Sequence, residues 1–444
     1  MAGVIPGGAA WLPLPGTAVP AGEEAEQLVV RRLLVAALFA SIFLQRLALP
    51  VSGGIALNLF VTLAVVGYLG LCGFLRVDPV RAALVLLLVA VGLAATALND
   101  GRASIGSLGL LIVMYAAFTV SLRDPSDVFE KCVEAFQRMV LVTAICGTAQ
   151  FFLQFAIGPD DLFTFGSFVP SQFLVPNFNT ANPLHWQSPY FKANGFFFLE
   201  PSIYSQYLCL AIAAEFLFRG VTARLAAYAF ALPFAFSGTG PLMLLILLPV
   251  WLIARRRYVA IIGGCFALAA LVTLVETLSG GYIANRLSEF GSENTSAHAR
   301  FIAGAYLIRE QVLASWTDTL IGLGPGSYLP IARTALFEAH DPAWAKLLLE
   351  YGLIGSLAFW PMFFAAVVAG SPSGWVSLAL VIGYFTFGGM LLDARLHVLI
   401  LVLCVLPKQP GSAACPRITM AGRAGPGIAG SGMRGPGRAA RAAR

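Results

Sequence analysis

Residues 81–98 read RAALVLLLVAVGLAATAL: one arginine, then seventeen residues without a charge. A bilayer's hydrocarbon core takes about 20 apolar residues of helix, because every backbone polar group must be satisfied within the segment. Similar runs recur along the chain. Spans are predicted at 33–52, 54–75, 82–98, 105–122, 139–158, 201–218, 222–237, 241–254, 258–277, 345–369, 374–391 and 396–407. The seventh, eighth and last are the shortest. The expected fold is an all-α polytopic membrane protein of about 12 transmembrane helices.

Composition agrees with that fold. Of 444 residues, 58% are hydrophobic and 11% charged, with a mean hydropathy of +0.81. Soluble domains average about half apolar and about a quarter charged. The formal charge of +6 does not indicate a nucleic-acid partner. Its surplus lies in the tail after Pro407 and beside the apolar runs, where it acts as an orientation signal. The seven cysteines lack zinc-site spacing, and none falls in the two long loops described below, so no disulfide framework is expected.

Met1–Gln27 has no basic start before a short apolar core, so no cleaved leader is read there. Arg31 and Arg32 precede the first apolar run as in a retained signal anchor. The expected division is a cytoplasmic tail at 1–30, a membrane domain at 31–407 and a disordered basic tail at 408–444. With the N-terminus cytoplasmic, inward connections carry Arg31/Arg32, Arg76/Arg81, Arg123/Lys131/Arg138, Arg219/Arg224 and Arg255/Arg256/Arg257. Outward connections carry Arg102 and Arg395, with Arg46 near the end of the first span. This asymmetry puts both termini in the cytoplasm and two long loops, 159–200 and 278–344, outside.

The later loop is expected to hold an amphipathic helix. Thr295 or Ser296 can cap it, and Phe301, Ala305, Ile308 and Val312 recur at helical spacing. Such a helix would lie on the outer membrane surface or over a cavity.

Candidate chemistry gathers on the same side. Three outward helix starts carry proline: Glu200-Pro201, Ser237-Gly-Thr-Gly-Pro241 and Asp341-Pro342. Proline suits the first helical position, and Asp341 can cap the third helix. Their N-termini would converge on one face and favour an anion such as a lipid diphosphate. Glu200, at the mouth of a span, is either a functional carboxylate or an interface residue favoured by the helix dipole. Arg286 and Arg300 either bind diphosphate, because a guanidinium forks onto two oxygens, or are solvated loop charges; Arg309, beside Glu310, reads as a solvated face. Among His185, His298, His340 and His397, only His340 enters a helix where it could act as a general base on a hydroxyl. No metal-ligand spacing is present. Gly322-Leu-Gly-Pro-Gly326 lacks the Lys-Ser/Thr of a phosphate loop and reads as a tight turn, while Gly352 and Gly355 permit close helix packing.

In order and spacing, GFFFLEPS (195–202), SGTG (237–240), Arg286 to Arg300, GLGPG (322–326) and AHDPAWAKLLLEYGLIG (339–355) resemble the O-antigen polymerase/ligase superfamily, of the bacterial polysaccharide polymerase type. The resemblance implies a metal-independent inner-membrane glycosyltransferase with no cofactor and a periplasmic active face. Its donor and acceptor would be glycans on undecaprenyl diphosphate, with a chain-length regulator as a possible protein partner. It implies that Arg286 and Arg300 hold the diphosphate and that His340 acts as base or orients the acceptor. Lys192 stands where the family commonly has arginine, keeping the charge without the fork. Glu200, in the glutamate-proline motif, favours polymerisation over ligation of glycan to lipid A core. The rival from another class is a transporter or flippase of lipid-linked glycan or small anions, which would need charges spread through the membrane depth.

Overall fold

The computed structural model describes residues 21–408, apart from 51–54, 100, 177, 179, 186, 387–389 and most of 260–294. The predicted span at 258–277, the start of the later loop and the tail from 409 lie largely or wholly outside the described residues.

The chain is mostly helical, in the order α1 (Ala21–Phe43), α2 (Leu57–Leu71), α3 (Pro79–Leu98), α4 (Ile105–Ala116), α5 (Val128–Ile157), α6 (Pro201–Phe218), α7 (Ala223–Ala231) and α8 (Thr239–Ala254). There follow the short α9 (Ser296–Phe301), α10 (Ala303–Leu307), α11 (Trp316–Ile321) and α12 (Tyr328–Thr334). The long α13 (Ala343–Val367) precedes α14 (Gly374–Thr386) and α15 (Ala394–Ile400), which continues as a wider π turn through Val405. Among the described residues, α3, α5 and α13 are long and apolar enough to cross a membrane, and six shorter apolar helices accompany them.

Helices α1 and α5 depart from the expected boundaries. Helix α1 starts at Ala21, inside the predicted tail, and stops at Phe43 rather than near residue 52. Proline restrains the residue before it to extended backbone; accordingly Ala48–Leu49, ahead of Pro50, pairs as a strand with Ile55–Ala56. Helix α5 starts at Val128, eleven residues before the apolar run, because its first three turns are charged. At 1.5 Å per residue a helix of that length spans roughly 45 Å, well beyond a hydrocarbon core of about 30 Å. Glu134 in that extension receives Arg138 at 2.8 Å and Arg224 at 3.1 Å, and also pairs with Arg219.

Connections of like parity meet at the same end of the bundle. At the arginine-rich end, Leu75–Val77 pairs with Val120–Leu122, Leu122 N–H donates to the Leu406 carbonyl, and Gln27 donates to Asp124 at 2.8 Å. At the other end, Leu47 bridges to Leu174, Asn99 Nδ2 donates to the Gly322 carbonyl at 3.1 Å, and Ser104 N–H donates to the Pro325 carbonyl. Buried Arg46 holds this end together by donating to the carbonyls of Phe163 (2.9 Å) and Phe198 (3.0 Å).

Helix α13 packs along α3 and is broken at Gly352, with φ 63° and ψ −164°. An added Cβ there would lie 2.5 Å from the Leu320 carbonyl carbon and oxygen. The break lets Leu323 and Gly324 donate N–H bonds to the carbonyls of Leu349 and Glu350. That seats the glycine turn 322–326 against the helix. This backbone region is essentially reserved to glycine.

Gly352→Ala should therefore destabilise the protein by about 2–4 kcal/mol, combining the conformational and steric penalties. Gly109→Ala, where the new methyl meets nothing within 4 Å, should leave stability equal or slightly higher. Thermal unfolding of the detergent-solubilised protein compares the two; equal melting temperatures would refute the assignment of the break.

Candidate functional site

At the end away from the arginine-rich connections, the starts of α6, α13 and α15, with α9, enclose a cleft. Its wall includes Glu200, Ser202, Arg300, His340, Arg395 and Phe178.

Each side chain has a local reason for its place. Glu200 has extended backbone and Pro201 opens α6, so the chain turns into the helix there. Ser202 Oγ donates to Glu200 Oε2 at 2.9 Å, and Arg300 Nη2 approaches the same oxygen at 3.4 Å. Thr295 caps α9 by accepting the His298 N–H at 3.3 Å. Helix α9 then buries Ala299 and carries Arg300 on to the cleft. His340 is fixed by its main chain: its N–H donates to the Ala299 carbonyl at 3.0 Å, and its carbonyl accepts the Tyr328 hydroxyl at 2.6 Å.

Beneath His340 lies a buried charged support. Tyr328 N–H donates to Glu350 Oε1 at 3.2 Å, Lys346 sits 3.8 Å from that carboxylate, and Lys346 donates to Asp341 at 3.2 Å. Asp341 is thus engaged with Lys346, and the cap position of α13 belongs to Pro342, with extended backbone. The predicted cap and first helical residue are each displaced by one position.

The three predicted helix starts do not play equal parts. Those of α6 and α13 border the cleft. Helix α8 begins at Thr239, so Pro241 occupies the third position, and SGTG serves to join α8 to α6. Thr239 Oγ1 donates to the Ser202 carbonyl at 3.2 Å, and Gly240 N–H donates to Ser205 Oγ at 3.2 Å. A Cβ on Gly240 would lie 2.4 Å from the Ser205 carbonyl oxygen, so only glycine permits this approach.

Glu200, Arg300 and His340 come together as the sequence suggested. Arg286 lies outside the described residues. Lys192 does not line the cleft: its N–H donates to the Asn182 carbonyl, and neighbouring Phe191 bridges to Pro183, which commits that segment to its own loop. The predicted stripe is also altered. Ala299, Ala303, Gly304, Leu307, Ile308 and Val312 turn inward, and Ala305 is exposed. A backbone jog at Ile302 (φ −112°) and the π turn at Ile308–Val312 rotate the register. His298 packs near Tyr306 and Phe337, and His397 against Tyr115 and Phe118. Both serve packing.

Arg395 and Phe178 escaped the sequence reading of the site. Arg395 follows the capping Asp393, whose carboxylate it grips from Nε at 2.7 Å and 2.9 Å, and its guanidinium lies 4.9 Å from the Phe178 ring centre. The available signal was a cation at a span entrance on the side poor in Lys and Arg. Among the described residues, no three His, Cys, Asp or Glu side chains group as a metal site.

No protein-family model and no curated protein matches this chain.

His340 titrates below its ordinary 6.5, chiefly because burial disfavours the cation and secondly because Arg300 repels it; Glu200, Glu338 and Asp341 oppose the shift. At neutral pH the ring is therefore uncharged and able to accept a proton. The sign for stability follows: this contribution is present above 6.5 and is lost as pH falls through the lowered value. Histidine C2–H exchange measured by mass spectrometry should place His340 below 6.5, and Arg300→Gln should move it upward. An unshifted value in Arg300→Gln would show that the two side chains do not interact.

Proposed function

We propose that this chain polymerises oligosaccharide repeat units carried on undecaprenyl diphosphate, at the periplasmic face of a bacterial inner membrane. The observation that carries the proposal is the shared cleft of Glu200, Arg300 and His340, at the end opposite the arginine-rich connections. A guanidinium can neutralise a leaving diphosphate, a neutral imidazole can accept the acceptor's proton, and a carboxylate can position the guanidinium.

In the proposed step, His340 takes the proton from an acceptor hydroxyl as that oxygen attacks the donor's anomeric carbon. The bond from that carbon to the phosphate oxygen breaks, and its electron pair leaves with the lipid diphosphate. Arg300 neutralises the charge developing on the leaving group, the kind of interaction worth about 2.7–4 kcal/mol in a water-excluded site. Glu200, paired with Arg300 at 3.4 Å, orients the guanidinium before the donor binds and can then accept a hydrogen bond from the sugar. The helix starts of α6 and α13 add partial positive charge at the mouth. Sidedness comes from the Lys/Arg asymmetry.

Purified protein supplied with lipid-linked repeat units tests the proposal. Arg300→Ala should slow chain growth about 100-fold or more, and His340→Ala about 100- to 10,000-fold, with unchanged thermal unfolding. Retained activity in both variants would refute the site. Transfer to lipid A core without chain growth would make the protein a ligase. Accumulation of lipid-linked units on the cytoplasmic face when the protein is lost would make it a flippase. The acidic limb of the rate profile should fall below pH 6.5, following His340.

A further inference from the structure

We propose that Arg395 is a second phosphate-binding residue of the cleft, and that Arg300 and Arg395 together select a diphosphate over a monophosphate. The inference deepens the lipid-diphosphate reading above and rests on it for the ligand class.

Arg395 is 7% exposed, and its side chain forms part of the cleft wall. Asp393 occupies one edge of the guanidinium, accepting from Nε at 2.7 Å and 2.9 Å and also from Nη2. The Phe178 ring lies 4.9 Å from the guanidinium carbon, so the group is held on a face as well as an edge. Nη1 is shut off from solvent and has no hydrogen-bond partner among the described residues. A buried donor on a charged group, left without an acceptor, is costly to a fold. Here it belongs to a guanidinium already locked in position beside a cleft. An anion oxygen would complete it once the wall opens enough to expose Nη1, with the guanidinium itself already held in position.

The second arginine gives the arrangement its selectivity. Arg300 lies in the same wall, where its present acceptor is Glu200. The two guanidiniums reach the cleft from different elements, α9 and α15. One phosphate can satisfy one fork, whereas a diphosphate offers oxygens to both. Because Asp393 balances the charge of Arg395, the contribution is directional hydrogen bonding more than net charge.

The test is binding of geranylgeranyl diphosphate and geranylgeranyl monophosphate to the full chain in nanodiscs, with thermal unfolding and glycan extension followed in parallel. Wild type should prefer the diphosphate at least tenfold. Arg395→Lys keeps a cation without the fork and should abolish that preference, weakening diphosphate at least tenfold and monophosphate less than twofold. Asp393→Asn combined with Arg395→Gln replaces the pair by neutral groups of similar size, so it covers the case in which the lysine variant fails to fold. It should show the same loss.

Diphosphate affinity within twofold of wild type in a folded variant would overturn the proposal, as would a wild type without preference. Inorganic pyrophosphate competing as well as the lipid would overturn the lipid assignment. An Arg395-dependent preference in a protein that extends no glycan would uphold this inference while refuting the polymerase reading. Glycan extension with unaltered donor affinity in Arg395→Lys would do the reverse.

Discussion

One main-chain hydrogen bond, from His340 N–H to the Ala299 carbonyl at 3.0 Å, holds two stretches of the later loop in register. It places the residue after Ala299, Arg300, beside the imidazole, where its charge disfavours the protonated ring. The bond is possible because α9 and α10 lie close on the start of α13. Gly304 sits where a Cβ would come within 2.9 Å of the Ala345 methyl, and Ala299, Ala303 and Ala345 are buried. Small side chains at this contact set the approach of the backbones, and through it the approach of the charged groups.

Rigidity below the cleft comes from a different source. Glu350 and Lys346 are almost wholly buried, an expensive arrangement unless the charges are paired and hydrogen-bonded. They sit one turn apart on α13, directly under the Tyr328 that holds the His340 carbonyl. The break at Gly352 brings the 322–326 turn onto the same turn of helix. A loop of polar backbone thus obtains hydrogen bonds it could not obtain from lipid. The pairing of Lys346 with Asp341 and Glu350, and the Tyr328 N–H on Glu350, offset part of the cost of burying the ions and hold the segment that carries His340.

The helical membrane character was legible because apolar runs in a charge-poor chain leave few alternatives. Glu200 and His340 were conspicuous because ionisable groups at span entrances are costly, and Arg300 because Lys and Arg are scarce on the outward side. Arg395 was not, since the acid two residues earlier makes the pair look neutral, and its value lies in geometry that spacing does not encode. Gly352 was read as a packing glycine, which its contact with Leu320 and Gly322 supports. The helix break that produces this contact depends on tertiary hydrogen bonds and leaves no local mark. The predicted stripe failed at Ala305 for a related reason: the jog at Ile302 turns that residue outward, whereas Ile308 and Val312, in the π turn, are buried as expected. Lys192 has the right charge in the right loop, and only the pairing of its own segment removes it from the cleft.

Sidedness is the claim on which the rest depends, and residue 338 reports it. Glu338 is exposed and lies 3.6 Å from the His340 ring. A cysteine placed there, with exposed Cys72 replaced by serine, can be probed in intact cells with a membrane-impermeant maleimide. Labelling before the membrane is breached is the predicted result. Labelling only after permeabilisation would put the cleft in the cytoplasm and contradict the proposed chemistry at its foundation.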